Sequence, residues 1–301
     1  MSSINASIVR LGLCQMSVTA DKARNIAVAA EHVASACEQG SDLVMLPEIW
    51  NGPYASTAFP EYAEAVPGVG EAGSIDADAS PSSYMLTQTA KKHKVWLIGG
   101  SVSERAEDGK IYNTCLVVNS EGEVVGKHRK VHLFDIDVRK PKKMFFKESD
   151  TLSAGDTWTL VDTPWGKLGV GICYDIRFPD MAMVLRQEGA RFLVYPAAFN
   201  TVTGPAHWEL LARGRAVDNQ VFVALCSPAR VTAEEGNNGY VAYGHSTVVD
   251  PWGEVTLDMG TGAGVQVVDC NIDRIDEVRA SVPYWTQKRA DMYTVMRTDR
   301  A

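Results

Sequence analysis

The stretch WTLVDTPWGKLGVGICYDIRFPDMAMVLRQEGARFLVYPAAF, residues 158–199, holds the two kinds of strand connection that a mixed sheet needs. Its first part, WTLVDTPWGKLGVGI, places β-favouring residues on either side of a Gly-containing loop and predicts a hairpin. Its second part runs through the helix PDMAMVLRQEG into the apolar strand RFLVYPAAF, which completes a strand–helix–strand unit. Cys173 sits where the two parts meet. An apolar run ends there, and Pro179, well suited to a first helical turn, follows shortly after.

The same alternation extends in both directions. SIVRLGLCQM reads as a strand, KARNIAVAAEHVASACEQG as an amphipathic helix closed by Gly40, and DLVMLPE as a buried strand ending at Pro47. The helix SSYMLTQTAKKHK leads into the strand VWLIGGSVSE, and PAHWELLARGRAVDN leads into VFVALCSPAR. Two more hairpins are expected in NTCLVVNSEGEVVGKHRK and HSTVVDPWGEVTLDM. Hairpins and buried apolar strands together predict an α/β fold, a four-layer α-β-β-α sandwich of two mixed sheets with helices outside; a single doubly wound sheet is the alternative. No compositional break divides the chain, so residues 1–301 read as one domain. VPGVGEAGSIDADASPSS, residues 66–83, reads as a surface loop placed to cover a site.

Composition narrows the function classes. With 46% apolar residues the chain can bury a large core, and 29 basic against 37 acidic residues (formal charge -8) disfavour a nucleic-acid partner. No apolar run approaches the roughly 20 residues that span a bilayer, and the amino terminus has neither a secretory nor an Arg-rich leader pattern. Six scattered cysteines without a CxxC pair suit reduced thiols, hence a cytoplasmic setting, with a mitochondrial pool left open.

Three stretches put polar chemistry at strand ends. In LVMLPEIWNGPY, Glu48 follows an apolar run, where low-dielectric surroundings raise a carboxyl pKa towards that of a usable base; the alternative is a solvated loop glutamate. In KHRKVHLFDID, Lys127, Arg129 and Lys130 stand beside apolar residues, as an edge-protecting charge cluster also would. His128 and His132 are four apart but no further ligand completes a metal set, so neither metal nor cofactor is expected. In the third stretch, a helix terminus close to Cys173 would favour its thiolate; a buried, inert cysteine is the other reading.

In order and spacing, the glutamate after LP, the lysine in HRKVHLFD and the cysteine in GVGICYDIRFP resemble the Glu-Lys-Cys triad of the nitrilase superfamily, hydrolases of non-peptide carbon–nitrogen bonds. The likeness extends to NGPY, FKESDTLSAGD, FNTVTGPAHWELLARGRAVDNQ and YGHSTVVDPWGEV, which are similar to the omega-amidase branch. The resemblance implies Glu48 as base, Lys130 as cation, Cys173 as nucleophile and Glu148 as a second glutamate that holds Lys130 or orients the leaving amine, with an exposed loop residue as the other reading of Glu148. It also implies a small amide substrate, namely a 2-oxo dicarboxylic acid monoamide, and at least a homodimer with a subunit contact around Glu209 and Arg213, whose spacing of four also suits an ordinary surface ion pair. Arg177 is the candidate partner for a substrate carboxylate, with a structural ion pair to Asp175 or Asp180 as the alternative. Tyr54, Phe199 and Thr203 match pocket segments, although Thr203 also suits a helix cap. The Tyr174 N–H is the candidate oxyanion donor. DVRKPKKMFFKE looks longer and more basic than in relatives, which bears on the pocket beside residues 138–147. Other readings are an amidase of deaminated glutathione, a thiol enzyme pairing Cys173 with His207 or His245, and a catalytically idle binding module.

A free thiol (about 8.5) and a carboxylate (about 4.3) differ enough that proton transfer from Cys173 to Glu48 costs roughly 5–6 kcal/mol. Burial of Glu48 and the charge of Lys130, which should lower the thiol, are expected to close that gap.

Overall fold

The computed structural model describes residues 7–70, 75–140, 142–231 and 240–298. The first sheet is formed by β1 (Ile8–Gln15), β2 (Leu43–Met45), β3 (Trp96–Ile98), β4 (Val102–Arg105), β5 (Ile111–Val118) and β6 (Val124–Arg129). A separate hairpin, β7 (Asp135–Val138) and β8 (Met144–Lys147), follows. The second sheet comprises β9 (Thr159–Thr163), β10 (Gly166–Val170), β11 (Ala190–Pro196), β12 (Phe222–Cys226), β13 (Thr247–Val249) and β14 (Val255–Asp258). The last strand, β15 (Gly264–Asn271), returns to pair antiparallel with β1. Each sheet contains three parallel neighbours, β1-β2-β3 and β10-β11-β12, flanked by antiparallel strands. The two-sheet expectation holds, and all three hairpins form, as β5-β6, β9-β10 and β13-β14.

The helices are α1 (Lys22–Glu38), the single turn α2 (Phe59–Tyr62), α3 (Pro81–His93), α4 (Pro179–Gln187), α5 (Gly204–Asn219) and α6 (Asp273–Ser281). Strand side chains alternate between faces. Leu11, Leu13, Leu43 and Met45 therefore join Leu168, Val170 and Leu225 in the core between the sheets. Cys14, Val44 and Leu46 point the other way, to Ala29, Val33 and Ala36 of α1 and Leu86 of α3. Both faces are buried, so these strands read as unbroken apolar runs.

Two expectations change. VWLIGGSVSE is not one strand: Gly99 and Gly100 split it into β3 and β4. At Gly100, φ is +64° and a Cβ would lie 2.3 Å from the Pro47 carbonyl oxygen, so only glycine fits. Within 66–83, residues 71–74 lie outside the described residues. The part before them lies along β6, where Lys127 donates to the Val66 carbonyl (2.9 Å) and the Gly70 N–H to that of Val124 (2.9 Å), rather than over Cys173.

Candidate active site

The C-terminal ends of parallel strands from both sheets meet in one place, the position where open α/β sheets expose their loops to ligands. Glu48 arrives there three residues after β2. The Gly99-Gly100 break fixes its approach, because Ser101 N–H donates to the Pro47 carbonyl (3.0 Å) and the Ser101 hydroxyl accepts from Ile49 N–H (3.0 Å). Ile49 has φ +47°, an uncommon conformation for a β-branched residue, held beside the carboxylate. Glu48 is fully buried. Its Oε1 accepts from Lys130 Nζ (2.9 Å) and Asn113 Nδ2 (2.8 Å), and its Oε2 from the Ala198 N–H just beyond β11 (2.8 Å). Burial nevertheless outweighs these donors and raises its pKa above the ordinary glutamate value.

Cys173 lies beyond β10 with φ +45°, opening a one-turn 3-10 helix, Cys173–Arg177, before α4 begins at Pro179. Its sulfur lies close enough to Glu48 for each group to shift the titration of the other. Lys130 leaves the end of β6 with its N–H on the Asn113 carbonyl (2.8 Å), and its ammonium bridges Glu48 and Glu148, the latter at 2.8 Å. Burial opposes the Lys130 charge, but the two carboxylates prevail and hold its pKa well above that of free lysine. Glu148 is also fully buried, with Oε2 accepting from the Phe134 N–H (2.7 Å) and Oε1 from the Tyr54 hydroxyl (2.7 Å). The expected depression of the thiol does not occur. Burial and the neighbouring Glu48 push Cys173 well above the usual cysteine value, despite Lys130 and the Ala198 N–H. The resting site is therefore a neutral thiol beside a buried ion network, and a thiolate requires transfer of the proton to the raised Glu48.

The carbon-nitrogen hydrolase family model matches residues 10–280. The chain belongs to the carbon-nitrogen hydrolase family. It is 49% identical over 290 residues to the chloroplastic omega-amidase of Arabidopsis thaliana, covering 96% of this chain and 75% of that protein. Against the omega-amidase of Mus musculus it is 48% identical over 289 residues, covering 96% and 98%. Among solved structures, Saccharomyces cerevisiae Nit3, a member of branch 10 of the nitrilase superfamily, superposes with a TM-score of 0.83 at 41% identity, covering 96% of this chain and all of that one.

In this carbon-nitrogen hydrolase the remaining predicted residues divide. Tyr54 is brought to Glu148 and stacks near Phe146 (5.6 Å) and Tyr240 (4.5 Å), closing an aromatic wall on the acid pair. Phe146 comes from the β7-β8 hairpin, so the connection over 138–147 contributes to the site; residue 141 lies outside the described residues. Arg177 forms no ion pair with Asp175 or Asp180. Its guanidinium lies over Phe199 (4.9 Å) and Tyr174 (5.6 Å), donates to His207 Nδ1 (3.1 Å) and is close enough for its charge to act on Cys173. Thr203 does not cap α5 through its side chain. Asn200 Oδ1 takes the Val202 and Thr203 N–H groups instead (2.8 and 2.9 Å), and the Thr203 hydroxyl turns to the same oxygen. The Tyr174 N–H belongs to the first turn of the 3-10 segment, where no preceding turn supplies an acceptor. His207 serves Arg177 and His245 serves Asp258 (3.0 Å); neither is bonded to Cys173.

Sequence reasoning missed Asn113, Ala198 and Tyr240, whose hydroxyl bonds the Ala198 carbonyl. Asn113 had a faint signal as an amide in the mostly apolar run IYNTCLVV, and it is buried with the rest of β5. Ala198 acts through its backbone and Tyr240 lies far along the chain, so neither left one.

Proposed function

We propose that this hydrolase is an omega-amidase, which converts the terminal amide of a 2-oxo dicarboxylic acid monoamide, such as 2-oxoglutaramate or 2-oxosuccinamate, to the 2-oxo acid and ammonia. The carrying observation is Arg177, a half-buried guanidinium beside the nucleophile with no carboxylate partner among the described residues. A cation desolvated on aromatic faces favours an anionic ligand, and a guanidinium takes a carboxylate bidentately. The names of the relatives support the same reading.

The geometry supports a two-step route through a thioester. Glu48 accepts the Cys173 proton as sulfur attacks the amide carbon; the oxyanion forms against Lys130 Nζ and the Tyr174 N–H. As the tetrahedral intermediate collapses, the carbon–nitrogen bond breaks and Glu48 returns the proton to the leaving ammonia, which leaves a thioester. Glu48 then deprotonates water as it attacks the thioester carbon; the carbon–sulfur bond breaks, Glu48 returns that proton to the leaving sulfur, and the acid and the thiol are released. Glu148 and Tyr54 keep Lys130 in place during both steps.

We extend the proposal to a cytoplasmic homodimer. Leu210 and Val217 are exposed on α5 with Trp252 alongside, an apolar face suited to a second copy, and the unpaired, mostly buried thiols suit a reducing compartment. The test incubates purified protein with 2-oxoglutaramate and follows 2-oxoglutarate and ammonia, beside Cys173→Ala. Release by the wild type alone supports the proposal. No release from folded wild type, with turnover of a different small amide such as deaminated glutathione, overturns the substrate assignment.

A further inference from the structure

His128 and His132, four apart in the sequence with no further metal ligand beside them, both bond one carboxylate. Asp175, the third residue of the 3-10 turn that Cys173 opens, is buried. Its Oδ2 accepts from the Ile172 N–H (2.8 Å) and pairs with His128 Nε2 (3.1 Å). Its Oδ1 accepts from the His132 N–H (2.9 Å) and pairs with the His132 ring Nδ1 (2.7 Å). Both ring nitrogens facing the carboxylate must carry protons to bond it, because an ionised carboxylate only accepts.

The surroundings hold both rings. His128 Nδ1 meets the Thr159 hydroxyl (3.1 Å), which also bonds the Lys127 carbonyl (3.1 Å), so the ring is tied to β9 and to its own strand. The His132 ring stacks on Phe178, centroids 3.5 Å apart and planes within 9°. These contacts engage the two rings with Asp175, Thr159 and Phe178 rather than with Cys173. They connect the segment 128–132 to the segment 172–178.

Lys130 lies midway between the two histidines, and Cys173 lies between Ile172 and Asp175. One carboxylate thus grips the chain on both sides of the cation and on both sides of the nucleophile. Lys130 otherwise comes from the first sheet and Cys173 from the second, and nothing in either sheet's ladder sets their separation. We infer that Asp175, His128 and His132 form a positioning clasp that holds Lys130 in register with Cys173 across the two sheets. The inference rests on the catalytic reading of Cys173 and Lys130 but not on the identity of the amide.

The test therefore reads the thiol directly. Cys173 alkylation by iodoacetamide is followed by mass spectrometry in wild type, Asp175→Asn, His128→Gln and His132→Asn, together with kcat and KM on an amide substrate and the folded fraction by circular dichroism. Because misplacing a reacting group by about 1 Å can cost about a hundredfold, Asp175→Asn should lose about that factor in kcat per folded molecule, with KM little changed. Cys173 alkylation should slow in parallel. The histidine variants should show the same pattern at smaller size, and they carry the test if Asp175→Asn does not fold. Variants that lower only the folded fraction, with kcat and alkylation per folded molecule at the wild-type level, overturn the clasp. Wild type that is not alkylated at Cys173 overturns the catalytic reading and the clasp with it.

Discussion

Replacing Lys130 by Met keeps most of the length of the side chain and removes the charge that two buried carboxylates share. In the native site Lys130 Nζ bonds Glu48 Oε1 at 2.9 Å and Glu148 Oε1 at 2.8 Å, and all three side chains are fully buried. Without the ammonium the two carboxylates lie about 5 Å apart, and at an effective dielectric of about 20 they repel by about 3 kcal/mol. Removing one partner of a buried pair commonly costs about 3–5 kcal/mol, so the variant should lose an amount in that range near neutral pH. One carboxyl then titrates with a folded pKa raised above its unfolded value of about 4.3. Stability linked to such a group is present below the unfolded value and lost as pH rises through the folded one, so the penalty should be smaller at about pH 5 than at about pH 8. With an unfolding entropy of roughly 2 cal/mol/K per residue over 301 residues, the neutral-pH loss is a Tm decrease of about 5–8 °C. Scanning calorimetry of wild type and Lys130→Met at both pH values measures it, and Lys130→Met/Glu148→Gln should recover part of the loss. A decrease below about 2 °C, equal at both pH values, would refute the shared-charge account.

Other expectations follow from single features. Gly100→Ala imposes about 1–2 kcal/mol for left-handed backbone, plus the clash with the Pro47 carbonyl that aims Glu48; Tm and kcat should both fall, and unchanged kcat would sever Gly100 from the site. Asp175 is buried, but its two histidines outweigh burial and hold its pKa well below the aspartate range. Its contribution to stability is therefore present above about pH 4 and lost as pH falls further, and acid titration monitored by circular dichroism should show Asp175→Asn lacking that part of the loss. Leu210→Glu places a charge on the exposed face of α5, and light scattering should register a monomer; a dimer of undiminished affinity would move the contact elsewhere.

What the amino-acid sequence determined by itself is what depends on neighbours in the chain. Strands, helices and hairpins came from periodicity and turn residues, and the facing sheets came from combining apolar runs with hairpins. The triad came from a family resemblance: alone, Glu48, Lys130 and Cys173 each had a bland alternative, and their order and spacing together matched the nitrilase superfamily. The Gly-Gly break in VWLIGGSVSE was hidden because its cause is a carbonyl at Pro47, contributed by the segment that follows β2. Tertiary structure also decided every question of protonation and partnership. Cys173 rises rather than falls because the burial and negative charge around it come from segments far away in sequence. Asp175 takes His128 and His132 instead of Arg177 because the second sheet is laid against the first, and that packing leaves the Arg177 guanidinium beside Cys173 without a carboxylate partner among the described residues. Local sequence constrains dihedrals and faces over a few residues, whereas electrostatics and hydrogen bonding depend on distances that exist only once both sheets are assembled.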